Sequence, residues 1–292
     1  MPELPEVETI RGQVAPRVVG RRLAALEILD PRWCEPLAPE EVADAVVGRR
    51  IERLERRGKY LIWAFAGDVF LLMHLRMTGT LLYDPPGGVA AYARVRILLD
   101  DGHALVFADP RRFGTGQLVI GDAALEAFLE VRLGIEPLQP GFTSERLRAL
   151  AGGSRAPVKA FLLNQRRIAG VGNIYADEAL FRARIHPRRL AGSLRPAQYA
   201  LLRDAVVEAL EAGIAAKGAT IDDFRDAEGA SGAFQNEFLV HRRAGEPCVE
   251  CGSPIVKLVV AGRGTYVCER CQPRPRPRRA KRRSPARPVR AS

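Results

Sequence analysis

The sequence predicts an α+β protein of several domains: a β-rich N-terminal part, a helical middle part and a small C-terminal β-ribbon that binds a metal ion. Three observations carry this prediction. Short apolar runs and alternating patterns over residues 1–120 are typical of strands. From Asp122 onward, apolar residues recur with the period of a helix. Two C-x₂-C pairs then follow near the end of the foldable chain.

Composition places the chain among globular proteins and gives a weak sign of a polyanionic partner. Its 292 residues are 47% hydrophobic and 27% charged, as expected for a folded protein of more than one domain. The formal net charge is +11, but residues 272–292 hold eight arginines, one lysine and no acid. This Pro/Arg-rich segment is predicted to be a disordered basic tail, which either binds polyanions or only solubilises the chain.

Targeting and membrane signals are missing from the sequence. Residues 1–20 carry acidic side chains where the basic region of a signal peptide is expected. No apolar stretch approaches 18 residues. We therefore expect a cytoplasmic chain without a membrane span.

The N-terminal domain, predicted over residues 1–120, begins with a helix and continues as strands. Residues 5–15 carry apolar side chains on one helix face, with a proline at the first helical position. From residue 36 the pattern shifts toward period two. Four apolar runs predict strands: KYLIWAFA, DVFLLMHL, ARVRILLD and HALVFAD. The Asp-Gly pair between the last two predicts a hairpin.

The second domain, predicted over residues 121–228, is helical. Five segments have helical periodicity: DAALEAFLEVRL, SERLRALA, PVKAFLLNQ, NIYADEALFRARI and PAQYALLRDAVVEALEAGIAAK. A tight turn at Gly170-Val171-Gly172 precedes Asn173, which is a preferred helix cap. Free backbone N–H groups at such a helix start can bind an anion, although most such turns are only corners between helices.

Four cysteines in the third region, residues 229–271, predict one structural zinc ion. The pairs Cys248/Cys251 and Cys268/Cys271 are separated by 16 residues and can direct four thiolates at one tetrahedral ion. The segment between them reads as two strands with Arg263 at the tip of the turn. Two disulfides are the alternative, but reduced compartments disfavour them. The lone Cys34 is predicted to be a core thiol.

Two further stretches can be interpreted either as functional sites or as ordinary structural features. DPRRFG at 109–114 is either a solvated rim or a wedge that inserts an aromatic side chain into a stack of bases. MPELPEVET at the N-terminus would expose Pro2 as a secondary amine once Met1 is removed. Such an amine can form an iminium with an electrophilic carbon, and Glu3 could transfer the accompanying proton. The plain alternative is that the prolines only stiffen the entry to a helix.

Six motifs, in this order, resemble the bacterial formamidopyrimidine-DNA glycosylase family. They are MPELPEVET, RRGKYL at 56–61, HLRMTG at 74–79, DPRRFG, GVGNIYADEALF and the four-cysteine ribbon. The resemblance covers residues 1–271. It implies an N-terminal β-sandwich catalytic domain, a helical domain with a helix–two-turn–helix element, and a zinc β-ribbon. It also implies base excision repair of oxidised purines, 8-oxoguanine and formamidopyrimidines, followed by β,δ-elimination of the strand.

The resemblance assigns roles to the residues that match its motifs. Pro2 would be the nucleophile, Glu3 the proton donor, Lys59 the residue of β-elimination, and Arg263 that of δ-elimination and phosphate contact. The implied DNA-binding residues are Met77, Tyr92, Arg111, Phe113, Arg155, Lys159 and Asn173. Cys248, Cys251, Cys268 and Cys271 would hold zinc. The implied partner is double-stranded DNA containing oxidised bases, bound by a monomer in the bacterial cytoplasm at the nucleoid.

Several positions depart from the family pattern, and two alternatives stay open. Residues 217–220 read KGAT where the family tends to GGTT-like sequence, and His241-Arg242 replaces a common Tyr-Gly pair. Tyr92 stands where a histidine is frequent, and Asn164 replaces a frequent aspartate. The first alternative is the same chemistry on oxidised pyrimidines, as in the endonuclease VIII group, which Leu4 disfavours. The second is a non-catalytic lesion-binding paralogue.

The basic tail adds a prediction of its own. If it raises non-specific affinity for DNA, deleting it flattens the dependence of DNA binding on salt. An unchanged salt dependence would contradict this.

Overall fold

Two four-stranded antiparallel sheets form the predicted β-sandwich. The computed structural model describes residues 1–85, 90–221 and 224–275. The strands are β1 (Leu23–Ile28), β2 (Ile51–Arg57), β3 (Tyr60–Phe65), β4 (Val69–His74), β5 (Thr80–Tyr83), β6 (Ala93–Leu99), β7 (Ala104–Ala108) and β8 (Thr115–Ile120). One sheet has the order β1-β6-β7-β5, and the other has the order β2-β3-β4-β8.

Helices and a two-stranded ribbon make up the rest of the described chain. The helices are α1 (Leu4–Val18), α2 (Pro39–Val46), α3 (Asp122–Glu130), α4 (Ser144–Ala151), α5 (Val158–Leu163), α6 (Asn173–Arg182) and α7 (Pro196–Ala215). The ribbon consists of β9 (Val256–Val260) and β10 (Arg263–Val267), which pair antiparallel. The predicted hairpin with Arg263 at its turn is confirmed.

Strand β3 has apolar residues at every position because both of its faces are covered. Trp63 and Phe65 point into the sandwich core, while Ile62 and Ala64 belong to a separate cluster on the outer face. Phe128 and other apolar residues of α3 pack on that outer face. A strand buried on both sides reads as a continuous apolar run, as the sequence showed.

Helix α1 joins the two main cores of the molecule. Val7 and Ile10 lie in the core of the sandwich, whereas Leu4 lies in the core of the helical region. Inside that second core the rings of Tyr175 and Phe234 stack with centroids 5.2 Å apart. The N-terminus of the chain therefore lies at the junction between sheets and helices.

Two expectations from the sequence need correction. Residues 39–46 form α2 rather than continuing a period-two pattern, because Pro39 occupies its first turn and Val42 and Val46 bury one face. Gln272, at the start of the predicted tail, is fully buried and its amide donates to the carbonyl of Ile185 at 3.0 Å. The tail from residue 276 onward lies outside the described residues. Within the described ranges, the structure has no helix that is both long and apolar enough to span a membrane.

Candidate active site

The N-terminal residues are held against the start of helix α6. The amide of Leu4 donates to the carbonyl of Gly170 at 3.1 Å, and the carboxylate of Glu3 accepts from the amides of Ile174 at 3.0 Å and Tyr175 at 3.4 Å. A Cβ atom at Gly172 would overlap the Glu3 carboxyl group. The predicted cap is therefore corrected: Gly172, not Asn173, is the N-cap residue. The anion at this helix start is Glu3 itself.

Glu6 holds the backbone amide of Glu3 in place. Its carboxylate accepts from the amide of Glu3 at 2.7 Å, from the hydroxyl of Tyr175 at 2.7 Å and from the amide of Ala219 at 2.8 Å. Burial, followed by the negative charge of Glu3, raises the pKa of Glu6 above its usual value. This network connects the N-terminal segment to the loop after α7, which contains the KGAT stretch.

Lys59 approaches the same place from the β2–β3 turn, which is anchored across the domain junction. Glu136 accepts from Arg56 and Arg57, each at 2.5 Å, and from the amide of Gly58 at 2.9 Å. Lys59 is 5% exposed, and burial lowers its pKa below the usual value. The negative charges of Glu3 and Glu6 oppose this lowering of the Lys59 pKa.

Two cavities meet at Met1. One, of about 480 Å³, is lined by Lys59, Met77 and Phe113 among others. The other, of about 280 Å³, is lined by Glu3, Asn173 and Arg263 among others. Met1 lines both cavities, and Pro2 beside it is buried. The structure thus brings together all four residues predicted to be catalytic around one small region.

Two of the three residues predicted to fill the gap in DNA line the larger cavity. Met77 and Phe113 line it, and Phe113 is 49% exposed although it is a large apolar side chain. The guanidinium of Arg111 lies 4.8 Å from the centroid of the Phe113 ring. An exposed aromatic side chain can insert between bases, but insertion of Phe113 into DNA stays a prediction.

Lys159 is placed differently from the sequence expectation. It is fully buried, and its ammonium contacts the carbonyl of Gly264 at 3.0 Å, the hydroxyl of Thr265 at 2.8 Å and the carboxylate of Asp177 at 2.7 Å. Two hydrogen bonds and the ion pair with Asp177 thus surround the ammonium group. Lys159 therefore holds strand β10 against α6, and a direct DNA contact by it stays a prediction.

Asn173 also contacts the ribbon. Its side-chain amide donates to the carbonyl of Gly264 at 3.1 Å, and its buried Oδ1 has no partner among the described residues. Of the other predicted DNA contacts, Tyr92 is 60% exposed and its carbonyl accepts from the amide of Asp109. Arg155 is exposed in the loop after α4. In the described part of the chain neither Tyr92 nor Arg155 lines the two cavities.

Sequence reasoning missed His74, which lines the larger cavity beside Lys59. It lies three residues before Met77 in the motif HLRMTG, and that position was the available signal. Its Nδ1 accepts from the amide of Arg76 at 2.9 Å, and its ring lies edge-on to Tyr60 with centroids 4.7 Å apart. Burial, aided by Arg76 and Lys59, lowers the pKa of His74 to about 3. The imidazole is therefore neutral at physiological pH.

The depressed pKa of His74 predicts a loss of stability in mild acid. Between its ordinary pKa of 6.5 and its folded pKa of about 3, the unfolded chain binds a proton that the folded chain does not. Stability from this group is present above pH 6.5 and is lost as the pH falls, by about 1.4 kcal/mol per pH unit. We expect His74→Gln to remove about 2 kcal/mol of the loss between about pH 7 and about pH 5. Urea unfolding at both values measures this, and an equal loss in both proteins would contradict it.

The four ribbon cysteines fit one zinc ion. Their sulfur atoms all lie within 4.8 Å of one another, with Cys248 and Cys271 at 3.9 Å and Cys251 and Cys268 at 3.5 Å. A tetrahedral site with Zn–S bonds of about 2.3 Å requires sulfur separations of about 3.8 Å. The cysteines are free thiols rather than disulfides. They bind one zinc ion, which is structural because protein ligands fill all four positions. Cys34 is a free, buried thiol, as predicted.

Comparison with known proteins gives the same three parts. Residues 1–116 match the formamidopyrimidine-DNA glycosylase N-terminal domain, residues 133–225 match the H2TH domain of that enzyme, and residues 245–274 match the zinc finger found in FPG and IleRS. The formamidopyrimidine-DNA glycosylase of Symbiobacterium thermophilum is 46% identical over 288 residues, which cover 96% of this chain and 94% of that protein.

Solved structures show the same relationship. A Lactococcus lactis FPG variant in complex with Fapy-dG-containing DNA has a TM-score of 0.87 at 35% identity, covering 94% of this chain and 100% of that chain. The wild-type Lactococcus lactis Fpg in complex with DNA containing an oxidised pyrimidine has a TM-score of 0.86 at 36% identity, with the same coverage. The fold, the zinc ribbon and these relatives define the class of the protein: it is a DNA glycosylase of base excision repair. The resemblance seen in its motifs is confirmed. The chain belongs to the formamidopyrimidine-DNA glycosylase family, in which AP lyase activity accompanies the glycosylase.

Proposed function

We propose that this enzyme excises oxidised purines, 8-oxoguanine and formamidopyrimidines, from double-stranded DNA and then cuts the strand by β,δ-elimination. One observation carries the proposal: Pro2 and Glu3 are buried where two cavities meet, with Lys59 lining one and Arg263 the other. An N-terminal amine, a carboxyl group and a buried lysine are the groups that Schiff-base chemistry on a sugar needs.

Removal of Met1 would do two things at once. It would free the secondary amine of Pro2, and it would open the wall between the cavities, since Met1 lines both. The neutral amine attacks C1′ of the damaged nucleotide, and the base leaves with the electrons of the glycosidic bond. The nitrogen of Pro2 then loses its N–H proton, and the departing base takes one up. As Glu3 gives a proton to the ring oxygen, the freed nitrogen lone pair forms the iminium and the bond from C1′ to the ring oxygen breaks.

Strand cleavage follows from the acidity that the iminium gives to its neighbouring carbons. A base removes a proton from C2′, and the 3′-phosphate leaves in the β-elimination. Lys59 suits this step because its lowered pKa increases the fraction of free amine at neutral pH. A second elimination releases the 5′-phosphate. We propose that Arg263, exposed at the turn of the ribbon, contacts a backbone phosphate there.

Binding of DNA is proposed to combine an inserted wedge with phosphate contacts. Met77, Arg111 and Phe113 would fill the space left by the extruded nucleotide, which offsets part of the unstacking cost of a few kcal/mol. Asn173 and the exposed Arg155 and Tyr92 would contact the backbone without reading sequence, as suits an enzyme that finds lesions anywhere. Lys159 contributes by holding the ribbon in place.

The same chemistry on oxidised pyrimidines is the second candidate. The Lactococcus lactis relative bound to oxidised-pyrimidine DNA favours it, and so does the departure at residues 217–220, which follow α7 near the site. Relatives named as formamidopyrimidine-DNA glycosylases, together with the intact Pro2, Glu3 and Lys59, argue against the non-catalytic alternative. We further propose that the enzyme acts as a monomer at the nucleoid, with domains over residues 1–120, 121–228 and 229–271.

A substrate panel under single-turnover conditions tests the proposal. Duplexes carry one 8-oxoguanine opposite cytosine, or one 5-hydroxycytosine opposite guanine, and product is followed with time. We expect the purine to be excised at least about tenfold faster, a difference of about 1.4 kcal/mol in the barrier. The products should carry phosphate on both sides of a one-nucleotide gap. Faster excision of the pyrimidine would establish the second candidate instead.

A further inference from the structure

Two neighbouring loops carry the proposed wedge, and both cross from one sheet of the sandwich to the other. The first wedge loop, residues 75–79, leads from β4 to β5 and contains Met77. The second wedge loop, residues 109–114, leads from β7 to β8 and contains Phe113. Strand β4 pairs with β8, and β5 pairs with β7, so the two loops run side by side at one edge of the sandwich.

A single buried carboxylate connects these loops. Asp109 is 0% exposed, and its Oδ2 accepts from the amides of Phe113 at 2.8 Å and Gly114 at 2.7 Å. Its Oδ1 accepts from the amide of Arg111 at 3.1 Å and from the hydroxyl of Thr78 at 2.5 Å. Three of the four bonds shape the second wedge loop, and the fourth reaches into the first loop one residue from Met77.

We propose that Asp109 and Thr78 are positioning residues that lock the two wedge loops into one rigid unit. The inference rests on the proposed function in one respect, that Met77 and Phe113 enter DNA. Both side chains lie on loops, and two loops that moved independently would each lose conformational freedom on entering the duplex. A carboxylate that accepts three backbone N–H bonds and one hydroxyl in a buried position removes that freedom before DNA arrives.

The hydroxyl of Thr78 can be removed with little change in shape. Thr78→Val keeps the branched side chain and breaks the bond between the loops, whereas Thr78→Ser keeps the hydroxyl and serves as the matched control. We expect Thr78→Val to lower single-turnover excision of 8-oxoguanine opposite cytosine about tenfold, the effect of losing one hydrogen bond to a charged group. Cleavage at an abasic site should fall less, because no stacked base has to be extruded there. Thr78→Ser should restore both rates.

A fluorescence measurement tests the wedge without any chemistry. The DNA carries a tetrahydrofuran abasic analogue, which cannot be cleaved, opposite 2-aminopurine, whose fluorescence rises when it is unstacked. The wild type and Thr78→Ser should raise the fluorescence on binding. At saturating protein, Thr78→Val should give less than about half of that rise, because an untethered wedge fills the gap only part of the time. Asp109→Asn, which weakens the whole set of bonds, should show at least as large a deficit.

Each result decides the proposal. Full fluorescence with Thr78→Val would overturn it, and so would equal losses on the 8-oxoguanine and abasic substrates together with a lowered melting temperature, which would indicate a purely structural role. If the wild type excised no lesion at all, the proposed function would fail, yet the fluorescence comparison would still show whether the two loops act as one wedge.

Discussion

Replacing Glu3 by glutamine is expected to lower the rate of 8-oxoguanine excision by about 10²- to 10⁴-fold, the range for loss of a positioned proton donor. Glutamine has nearly the same shape and can still accept from the amide of Ile174, so the contact with α6 is retained in part. An abasic site equilibrates with its open aldehyde and reacts with an amine without a proton on the ring oxygen. Cleavage of abasic DNA should therefore fall by less than about tenfold.

Single-turnover rates on the two DNAs measure this difference. Glu52→Gln removes the same charge from an exposed position on β2 and is the matched control, with both rates unchanged. Equal losses on the two substrates with Glu3→Gln would show that Glu3 acts by holding the N-terminus against α6 rather than by transferring a proton.

Removing the zinc ion is expected to unfold the ribbon and weaken DNA binding by about 100-fold or more. This is the effect of losing two charge-assisted contacts to phosphate, those proposed for Arg263 and Asn173. The ribbon has a core of only a few buried residues, among them Val240, Ile255 and the cysteines themselves. Two strands with so little apolar burial are not stable alone, so the free energy of metal binding is largely folding free energy. Arg263 and the carbonyl of Gly264 would then lose their positions beside Asn173.

The measurement combines zinc content with DNA affinity. Cys251→Ala and the chelated wild type should both lack zinc and bind tetrahydrofuran-containing DNA weakly, while the sandwich and helices keep their thermal transition. Cys34→Ala alters a buried thiol outside the ribbon and should retain zinc and affinity. Unchanged affinity in the zinc-free protein would show that the ribbon takes no part in binding DNA.

The sequence predicted those parts of the fold whose signals are local. Strands β3, β4, β6 and β7 are apolar runs. The Asp-Gly pair at residues 101–102 marks the hairpin between β6 and β7. Strand β2 was missed because its sequence, IERLERR, is mostly charged. Only the structure shows that two of those charges, Arg56 and Arg57, are paired with Glu136. Helix α2 was missed because a helix of eight residues gives little periodicity and begins directly after a proline-rich turn.

At the candidate site, too, the sequence predicted the features that have local signals and missed those that depend on residues distant in the chain. The cysteines and the N-terminal residues could be found because their chemistry depends on residue type and spacing. The capping of α6 by Glu3 could not, since it joins groups 171 residues apart in the chain. Lys159 was expected to contact DNA because it matches a basic residue that the family has near Asn173. Its burial depends on Asp177, whose carboxylate lies on the inner face of α6 and also accepts from His241 at 2.9 Å.

Borohydride trapping tests the role of Pro2 most directly. The full-length protein is mixed with duplex DNA carrying one 8-oxoguanine opposite cytosine, the iminium is reduced, and the cross-linked residue is mapped by mass spectrometry. We expect one covalent adduct on the nitrogen of Pro2, in a chain that lacks Met1. An adduct on Lys59 or another lysine, or no adduct under conditions where the base is excised, would show that Pro2 is not the nucleophile.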